Sequence, residues 1–164
     1  MKLAVTDANI FIDLIKLQML AFLFKIDMEI HTTKEIVDQL NDHQLLSLTQ
    51  FIDSQHLRLH FLSAAQLQEV IALAAPRSLE LADKSVAWLS LRLAATVLTG
   101  DGPLRKFCRA KHLEVKGIIW LFDVFALDRY HLLHQMPLLK SHLIERLLRL
   151  LPHSLHSMNS QILP

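Results

Sequence analysis

Short apolar segments alternate with longer segments of helical periodicity along most of the chain, and this alternation limits the folds available to it. The patterns predict buried strands at residues 3–6, 28–31, 57–60, 96–98 and 113–116. They predict helices at residues 9–17, 19–24, 44–53, 64–74, 78–94, 104–111 and 118–127, and a further helical pattern opens at Glu35. Such alternation is typical of a parallel sheet that helices cover on both faces. We therefore predict an α/β fold, a three-layer α/β/α sandwich around a central parallel sheet.

The C-terminal stretch has a different pattern. Residues 138–151 carry an apolar stripe opposed by charged side chains, which predicts one amphipathic helix, and residues 154–164 are expected to form a tail. The stripe must be buried, either against the chain itself or in a contact with a second copy or another protein. We predict one domain, with a body at residues 1–130 and a helical extension at residues 131–164.

Composition excludes several classes of protein. The chain has 164 residues, only three glycines and a formal net charge of +1, so it offers neither a glycine-rich phosphate loop nor a strong overall field for nucleic acid. Cys108 is its only cysteine, which favours a reducing compartment and a core position for that residue. Charged residues interrupt the apolar stretches at residues 10–30 and 86–98. We therefore expect a cytoplasmic protein without membrane spans.

Four acidic residues occupy informative positions relative to the predicted elements. Asp7 and Asp101 follow apolar strands, whereas Glu35 and Asp83 lie near the starts of helical patterns. Ligands of open α/β sheets bind at the carboxyl ends of the strands. Because gathered carboxylates repel one another, a hard divalent cation with oxygen ligands is their natural counter-ion. The sequence therefore predicts a metal site at this edge of the sheet.

Other patterns leave alternatives open. Glu35 also completes the spacing of a capping box that starts at Thr32, which would give it a structural role without a metal. Two pairs of histidines, residues 56 and 60 and residues 131 and 134, lack the cysteine or glutamate partners of a zinc site. A basic group either forms a solvated helix face or contacts phosphates; its members are Arg105, Lys106, Arg109, Lys111 and Lys116.

The ordered acidic set resembles that of a known family. Asp7 lies in the frame Thr-Asp-Ala-Asn-Ile-Phe-Ile-Asp-Leu and Asp101 in the frame Leu-Thr-Gly-Asp-Gly-Pro-Leu-Arg, with Glu35 and Asp83 between them. This order resembles the PIN domain, the nuclease fold of VapC-like bacterial toxins and related RNA-cleaving proteins, over residues 1–127. The resemblance implies a PIN-like sandwich in which these four acids bind Mg²⁺ or Mn²⁺ and hydrolyse phosphodiester bonds of RNA. Glu80 stands one turn before Asp83 and is an alternative to it.

The same resemblance implies supporting residues and partners. Asn9 and Thr99 would fix the carboxylate rotamers, and three basic residues would contact RNA, namely Arg105, Lys106 and Arg109. The implied partners are an RNA substrate, an antitoxin protein and a second copy of the chain in a homodimer. A PIN-like protein-interaction module without catalysis is the alternative. Aspartate-nucleophile phosphatases are disfavoured because their second aspartate is replaced here by Asn9, which cannot transfer a proton.

Overall fold

Five parallel strands form the centre of the molecule. The structure is a computed structural model that describes residues 2–133, with the side chains described up to residue 125. The strands are β1 Lys2–Thr6, β2 Met28–Thr33, β3 Leu57–His60, β4 Thr96–Leu98 and β5 Val115–Lys116. The helices are α1 Ala8–Lys16, α2 Leu20–Leu23, α3 Lys34–Val37, α4 Asp42–Asp53, α5 Ala64–Ala72, α6 Leu81–Leu93, α7 Gly102–Ala110 and α8 Ile118–Leu133.

The order of the strands in the sheet is β3-β2-β1-β4-β5, and every pair is parallel. The chain builds outward from β1 to β3, returns through α6 to place β4 on the other side of β1, and then adds β5. The winding direction therefore reverses between β1 and β4. In doubly wound sheets a crevice opens at the carboxyl ends of the strands at such a switch point, and ligands bind there.

Burial on both faces explains the apolar runs of the central strands. Ala4 and Val5 of β1 and Val97 and Leu98 of β4 are fully buried, as expected for strands with helices on both sides. The predicted α/β/α sandwich with a parallel central sheet is confirmed. Cys108 is buried in the core as predicted, and burial raises the pKa of its thiol to about 12.

The predicted end of β2 is wrong, and the capping-box alternative for Glu35 is excluded. β2 continues through Thr32 to Thr33, two residues further than predicted, because both β-branched threonines are buried in the sheet. The Thr32 hydroxyl donates to the Thr6 carbonyl at 2.9 Å instead of capping a helix. Thr33 is the N-cap of α3 and makes no side-chain capping bond. Glu35 is therefore not part of a capping box.

Helix α6 begins at Leu81, three residues later than predicted. Glu80 is its N-cap residue, and the Asp83 carboxylate accepts a hydrogen bond from the Glu80 backbone N–H at 2.9 Å. This bond fixes the first turn and leaves residues 78–80 outside the helix.

The chain divides into two compact units between Val124 and Phe125, and the sheet and the predicted site residues belong to the first. The predicted domain boundary at residue 130 stays a prediction. The predicted helix at residues 138–151 lies outside the described residues. In the part of the chain that the structure describes, no helix is long and apolar enough to cross a membrane.

Candidate functional site

Asp7 stands where β1 passes directly into α1, and its carboxylate is held from three directions. It is the N-cap of α1, and its Oδ1 accepts a hydrogen bond from the Ala8 N–H at 2.7 Å. Its Oδ2 accepts from Asn9 Nδ2 at 2.7 Å and from the Thr99 hydroxyl at 2.6 Å. Asp7 is only 3% exposed. The carboxylate is therefore fixed in one orientation at the switch point of the sheet.

The turn between β4 and α7 is tied to the same carboxylate. The Thr99 hydroxyl accepts from the Asp101 N–H at 3.0 Å, and Asn9 Oδ1 accepts from the Gly100 N–H at 2.9 Å. Asp101 is the N-cap of α7, and its Oδ1 accepts from the Leu104 N–H at 2.7 Å. Asn9 and Thr99 thus connect the two turns that carry Asp7 and Asp101.

Three aspartates influence one another electrostatically although they come from separate elements. Burial raises the pKa of Asp7, hydrogen bonds from Thr99 and Ala8 lower it, and the charges of Asp83 and Asp101 raise it again. The net direction is upward. An apolar environment and like charges both disfavour the ionised form. The N-termini of α1, α6 and α7, which these residues cap or open, offset part of that cost because helix N-termini favour negative charge.

Asp83 is electrostatically coupled to Asp7 and Asp101. Burial raises the pKa of Asp83, the hydrogen bond from the Glu80 N–H lowers it, and the charges of Asp101 and then Glu80 raise it. Glu80 is exposed at the N-cap of α6, one position outside the helix. The structure therefore brings Asp83 into the cluster with Asp7 and Asp101 and gives Glu80 a capping position.

Glu35 lies on α3, which packs against α6. Its Oε2 is buried and has no hydrogen-bond partner among the residues that the structure describes. A buried acceptor without a partner is costly unless a ligand or water satisfies it. The neighbouring contact between β2 and α6 is polar as well, because the hydroxyls of Thr33 and Ser85 are 2.6 Å apart.

The donor atoms of this site suit a hard divalent cation. Within residues 2–133, no group of three or more His, Cys, Asp or Glu side chains stands close enough to hold one metal ion. Mg²⁺ usually binds one or two carboxylates and keeps several waters, so a closed cage is not required. Carboxylate oxygens that accept no hydrogen bond from the described residues include the buried Oε2 of Glu35, Oδ1 of Asp83 and Oδ2 of Asp101. The metal-binding roles of these residues stay predictions.

Arg105 has a structural contact that the sequence did not predict. Its Nη1 donates to the Thr99 carbonyl at 2.8 Å, and a Cβ on Gly117 would lie 2.7 Å from that same nitrogen. Gly117 therefore leaves the space in which the guanidinium braces the β4–α7 turn. Lys106 and Arg109 are exposed on α7. RNA binding by these three basic residues stays a prediction.

A doubly wound parallel sheet with coupled aspartates at its switch point defines an α/β domain with an acidic candidate metal centre. A family model described as PIN domain matches residues 3–158. The chain therefore belongs to the PIN domain family, and the predicted membership is confirmed. No curated protein sequence matches the chain significantly.

Two solved structures share the fold of this chain. A domain of a functionally unknown protein from Methanocaldococcus jannaschii is 18% identical, with a TM-score of 0.51 over 72% of this chain and 91% of that chain. A protein from Pyrobaculum aerophilum is 14% identical, with a TM-score of 0.52 over 76% of this chain and 98% of that chain. VapBC2 from Rickettsia felis, solved with a DNA fragment from its promoter, is 18% identical over 70% of this chain and 98% of that chain, with a TM-score of 0.43.

Proposed function

We propose that this protein is a ribonuclease that hydrolyses phosphodiester bonds with the help of Mg²⁺ or Mn²⁺. The observation that carries the proposal is the buried carboxylate of Asp7 at the switch point of the sheet, which Asn9 and Thr99 tie to the turn that carries Asp101, with the charges of Asp83 and Asp101 near enough to raise its pKa. Keeping three mutually repelling carboxylates in one place is unfavourable in the absence of a cation. Such groups are expected where function requires them.

The residues of the site divide into those that would hold the cation and those that would orient them. Asp7 and Asp101 are the ligands proposed first, and Glu35 and Asp83 complete the set directly or through water. A bound divalent cation lowers the pKa of a water and stabilises the charge on the leaving oxygen. Asn9 donates to Asp7 with its amide nitrogen and accepts from Gly100 with its amide oxygen, so it orients the carboxylate and has no proton to transfer.

The RNA backbone would approach over α7. Lys106 and Arg109 are exposed on this helix, whose N-terminus carries Asp101. Basic side chains contact phosphates without reading the sequence, so they would contribute affinity more than specificity. Arg105 is proposed as a brace for the catalytic turn in addition to any phosphate contact, because its guanidinium is already hydrogen-bonded to the Thr99 carbonyl.

A cleavage assay tests the proposal. A labelled structured RNA is incubated with the wild-type chain, with Asp7→Asn and with Asp53→Asn, each with Mn²⁺ and with a chelator. Asp53 is an exposed aspartate at the end of α4 and serves as the matched control. We expect Mn²⁺-dependent cleavage by the wild type and Asp53→Asn and none by Asp7→Asn. A wild-type chain without metal-dependent cleavage would instead favour the non-catalytic interaction module.

The role as the toxin of a toxin–antitoxin pair, with an antitoxin partner and a homodimer, is proposed on the family resemblance. Expression of the wild-type chain should then arrest bacterial growth, and expression of Asp7→Asn should not. Light scattering on the purified full chain measures whether it is a dimer. A monomer at high concentration would exclude self-association without affecting the proposed catalysis.

A further inference from the structure

Two histidines lie at the carboxyl ends of β2 and β3, on the same edge of the sheet as the acidic site. Nδ1 of His31 and Nε2 of His60 are 2.8 Å apart, and the two rings stack with 5.1 Å between their centroids. The register of β2 and β3 pairs Thr33 with His60. The register of β1 and β2 pairs Val5 with His31. Two residues further along both strands, the same register places Asp7 opposite Thr33. His60 and Asp7 therefore belong to one row across the edge, two strand spacings or about 10 Å apart.

The surroundings of His31 determine which nitrogen of His60 is an acceptor. Oε1 of Glu29 lies 3.5 Å from Nε2 of His31 and accepts a hydrogen bond from Arg58 Nε at 3.0 Å. Nε2 of His31 is buried and makes no hydrogen bond, but the negative charge of Glu29 favours a proton on that nitrogen, and in this tautomer Nδ1 of His31 accepts from the Nε2–H of His60. Nδ1 of His60 then carries a lone pair, and it makes no hydrogen bond with any residue that the structure describes.

His60 lines a cavity of about 210 Å³ bounded by the end of β3, by α5 and by α6. Phe61, the next residue, also lines it and is 71% exposed. Trp88 forms a fixed wall, because its Nε1 donates to Glu69 at 3.1 Å and the Arg92 guanidinium lies 4.8 Å from the centre of its ring. The cavity is therefore lined by one exposed aromatic ring, Phe61, and by the His60 imidazole, whose Nδ1 is an acceptor in the tautomer that Glu29 favours. It is smaller than the pockets that enclose drug-sized ligands, a size that suits a single planar ring system.

Resting on the proposed ribonuclease function, we propose that this cavity binds one base of a single-stranded RNA substrate. Phe61 is the stacking surface, and Nδ1 of His60 accepts a hydrogen bond from an exocyclic amino group. Unpaired bases commonly stack on aromatic side chains and are distinguished by their edges. Because His60 lies two strand spacings from Asp7, a single RNA strand that reaches the acidic site could also reach this cavity. An apolar peptide would need the aromatic ring but not the acceptor, so the cavity favours a base.

Binding of labelled oligonucleotides without Mn²⁺ tests the stacking role separately from cleavage. The probes are short single strands of cytidylate and of uridylate, and binding is followed by fluorescence anisotropy near neutral pH. Phe61→Ala should weaken cytidylate binding by about tenfold or more, whereas Phe61→Trp keeps a stacking ring and should keep the affinity. The matched control is Leu46→Ala on α4, since Leu46 is 73% exposed and lies outside the cavity. If Phe61→Ala and Leu46→Ala bound cytidylate equally well, the proposal would be overturned. If Phe61→Ala kept its affinity for cytidylate but no longer bound an apolar peptide, the cavity would be a peptide site.

The two probes test the acceptor role of His60. Cytosine has an exocyclic amino group and uracil does not, so the wild-type chain should bind cytidylate more tightly and His60→Phe should lose that preference. Equal binding of both probes by the wild type would overturn the acceptor role. Binding that depends on Phe61 in a chain that never cleaves would refute the nuclease and keep the base site. Cleavage with an unchanged KM in Phe61→Ala would refute the base site and keep the nuclease.

Discussion

The carboxyl edge of the sheet carries two polar regions that respond to burial in opposite ways. Around the ends of β1 and β4, burial and neighbouring carboxylates raise the pKa of Asp7 and of Asp83, which lies in the first turn of α6. At β2 and β3, burial lowers the pKa of His31 and His60. Both regions therefore favour uncharged groups, but the histidines contact each other directly, at 2.8 Å between their rings, whereas the carboxylates repel one another. The divalent cation of the proposed function would offset the repulsion among the aspartates.

This comparison predicts its largest effect for Asp7→Asn. Mn²⁺-dependent cleavage should fall by more than about a hundredfold, because a charged oxygen ligand is lost, whereas His60→Phe should leave a measurable rate. The melting temperature of Asp7→Asn should stay unchanged or rise, since an unfavourable buried charge is removed. Activity and thermal melting are measured on the same samples. If Asp7→Asn cleaved RNA as fast as the wild type, the acidic region would have no role in cleavage.

The sign of the pH dependence gives a further check on Asp7→Asn. A carboxyl whose pKa is raised by folding stabilises the folded chain at low pH, and this contribution is lost as the pH rises through the folded pKa. The wild type should therefore approach or exceed the stability of the variant as the pH is lowered, and fall behind it near neutrality. Parallel stability curves of the two proteins would contradict the raised pKa of Asp7.

Glu35→Gln should have the next largest effect and test the unpaired oxygen on α3. Because Glu35 takes part in no capping box, the substitution should change the free energy of unfolding by less than about 1 kcal/mol. Mn²⁺ affinity should fall by about tenfold, since an amide replaces a charged oxygen donor. Calorimetric titration with Mn²⁺ and denaturant unfolding provide the two values. Unchanged affinity would place Glu35 outside the metal site.

Gly117→Ala should reveal how firmly the acidic region is braced. A Cβ there would meet Arg105 Nη1 at 2.7 Å, so the flexible guanidinium should swing away and lose its hydrogen bond to the Thr99 carbonyl. We expect a loss of about 1 kcal/mol in unfolding free energy and slower cleavage. In a chain that already carries Arg105→Ala, Gly117→Ala should not lower the free energy of unfolding any further, and a double-mutant cycle measures this. Gly102→Ala is the control, because no atom lies within 4 Å of its added Cβ.

The two regions also differ in how far the sequence predicts them. The acidic region is encoded locally, because Asp7 and Asp101 each follow their own strand and each caps the next helix. Motif spacing therefore finds these residues, and strand order alone brings them together. The histidine region depends on the lateral register of β2 and β3, which joins residues 29 positions apart. The pairing of His60 with His56 rests on their spacing along the chain, whereas the structural neighbour of His60 is His31 on the adjacent strand.

The fold was predictable because hydrophobic alternation determines a parallel sheet, whereas element ends depend on particular hydrogen bonds. The Thr32 hydroxyl fits a cap in sequence but donates to the Thr6 carbonyl once the strands pair. The hydrogen bond from Arg105 to the Thr99 carbonyl likewise requires the β4–α7 turn and the β5–α8 turn to meet, because Gly117 leaves the space for the guanidinium. A basic residue in a basic run predicts phosphate binding, and only the structure gives its guanidinium a carbonyl partner.

The smallest effect is expected from the histidine region, in the pH dependence of stability. Burial is the main cause that lowers the pKa of both His31 and His60. The His60 ring and Arg58 lower the pKa of His31 further, whereas Glu29 raises the pKa of both histidines. The unfolded chain then binds more protons, so stability should fall as the pH drops below about 6.5 and level off below the folded pKa values. His31→Gln should flatten this slope, measured by urea unfolding across the range. Its cost near pH 8, where both imidazoles are neutral, reports the lost ring contact alone. A wild-type slope that survives in His31→Gln would contradict its assignment to the histidine pair, and the acidic region could not replace it because the raised pKa values of Asp7 and Asp83 give a slope of the opposite sign.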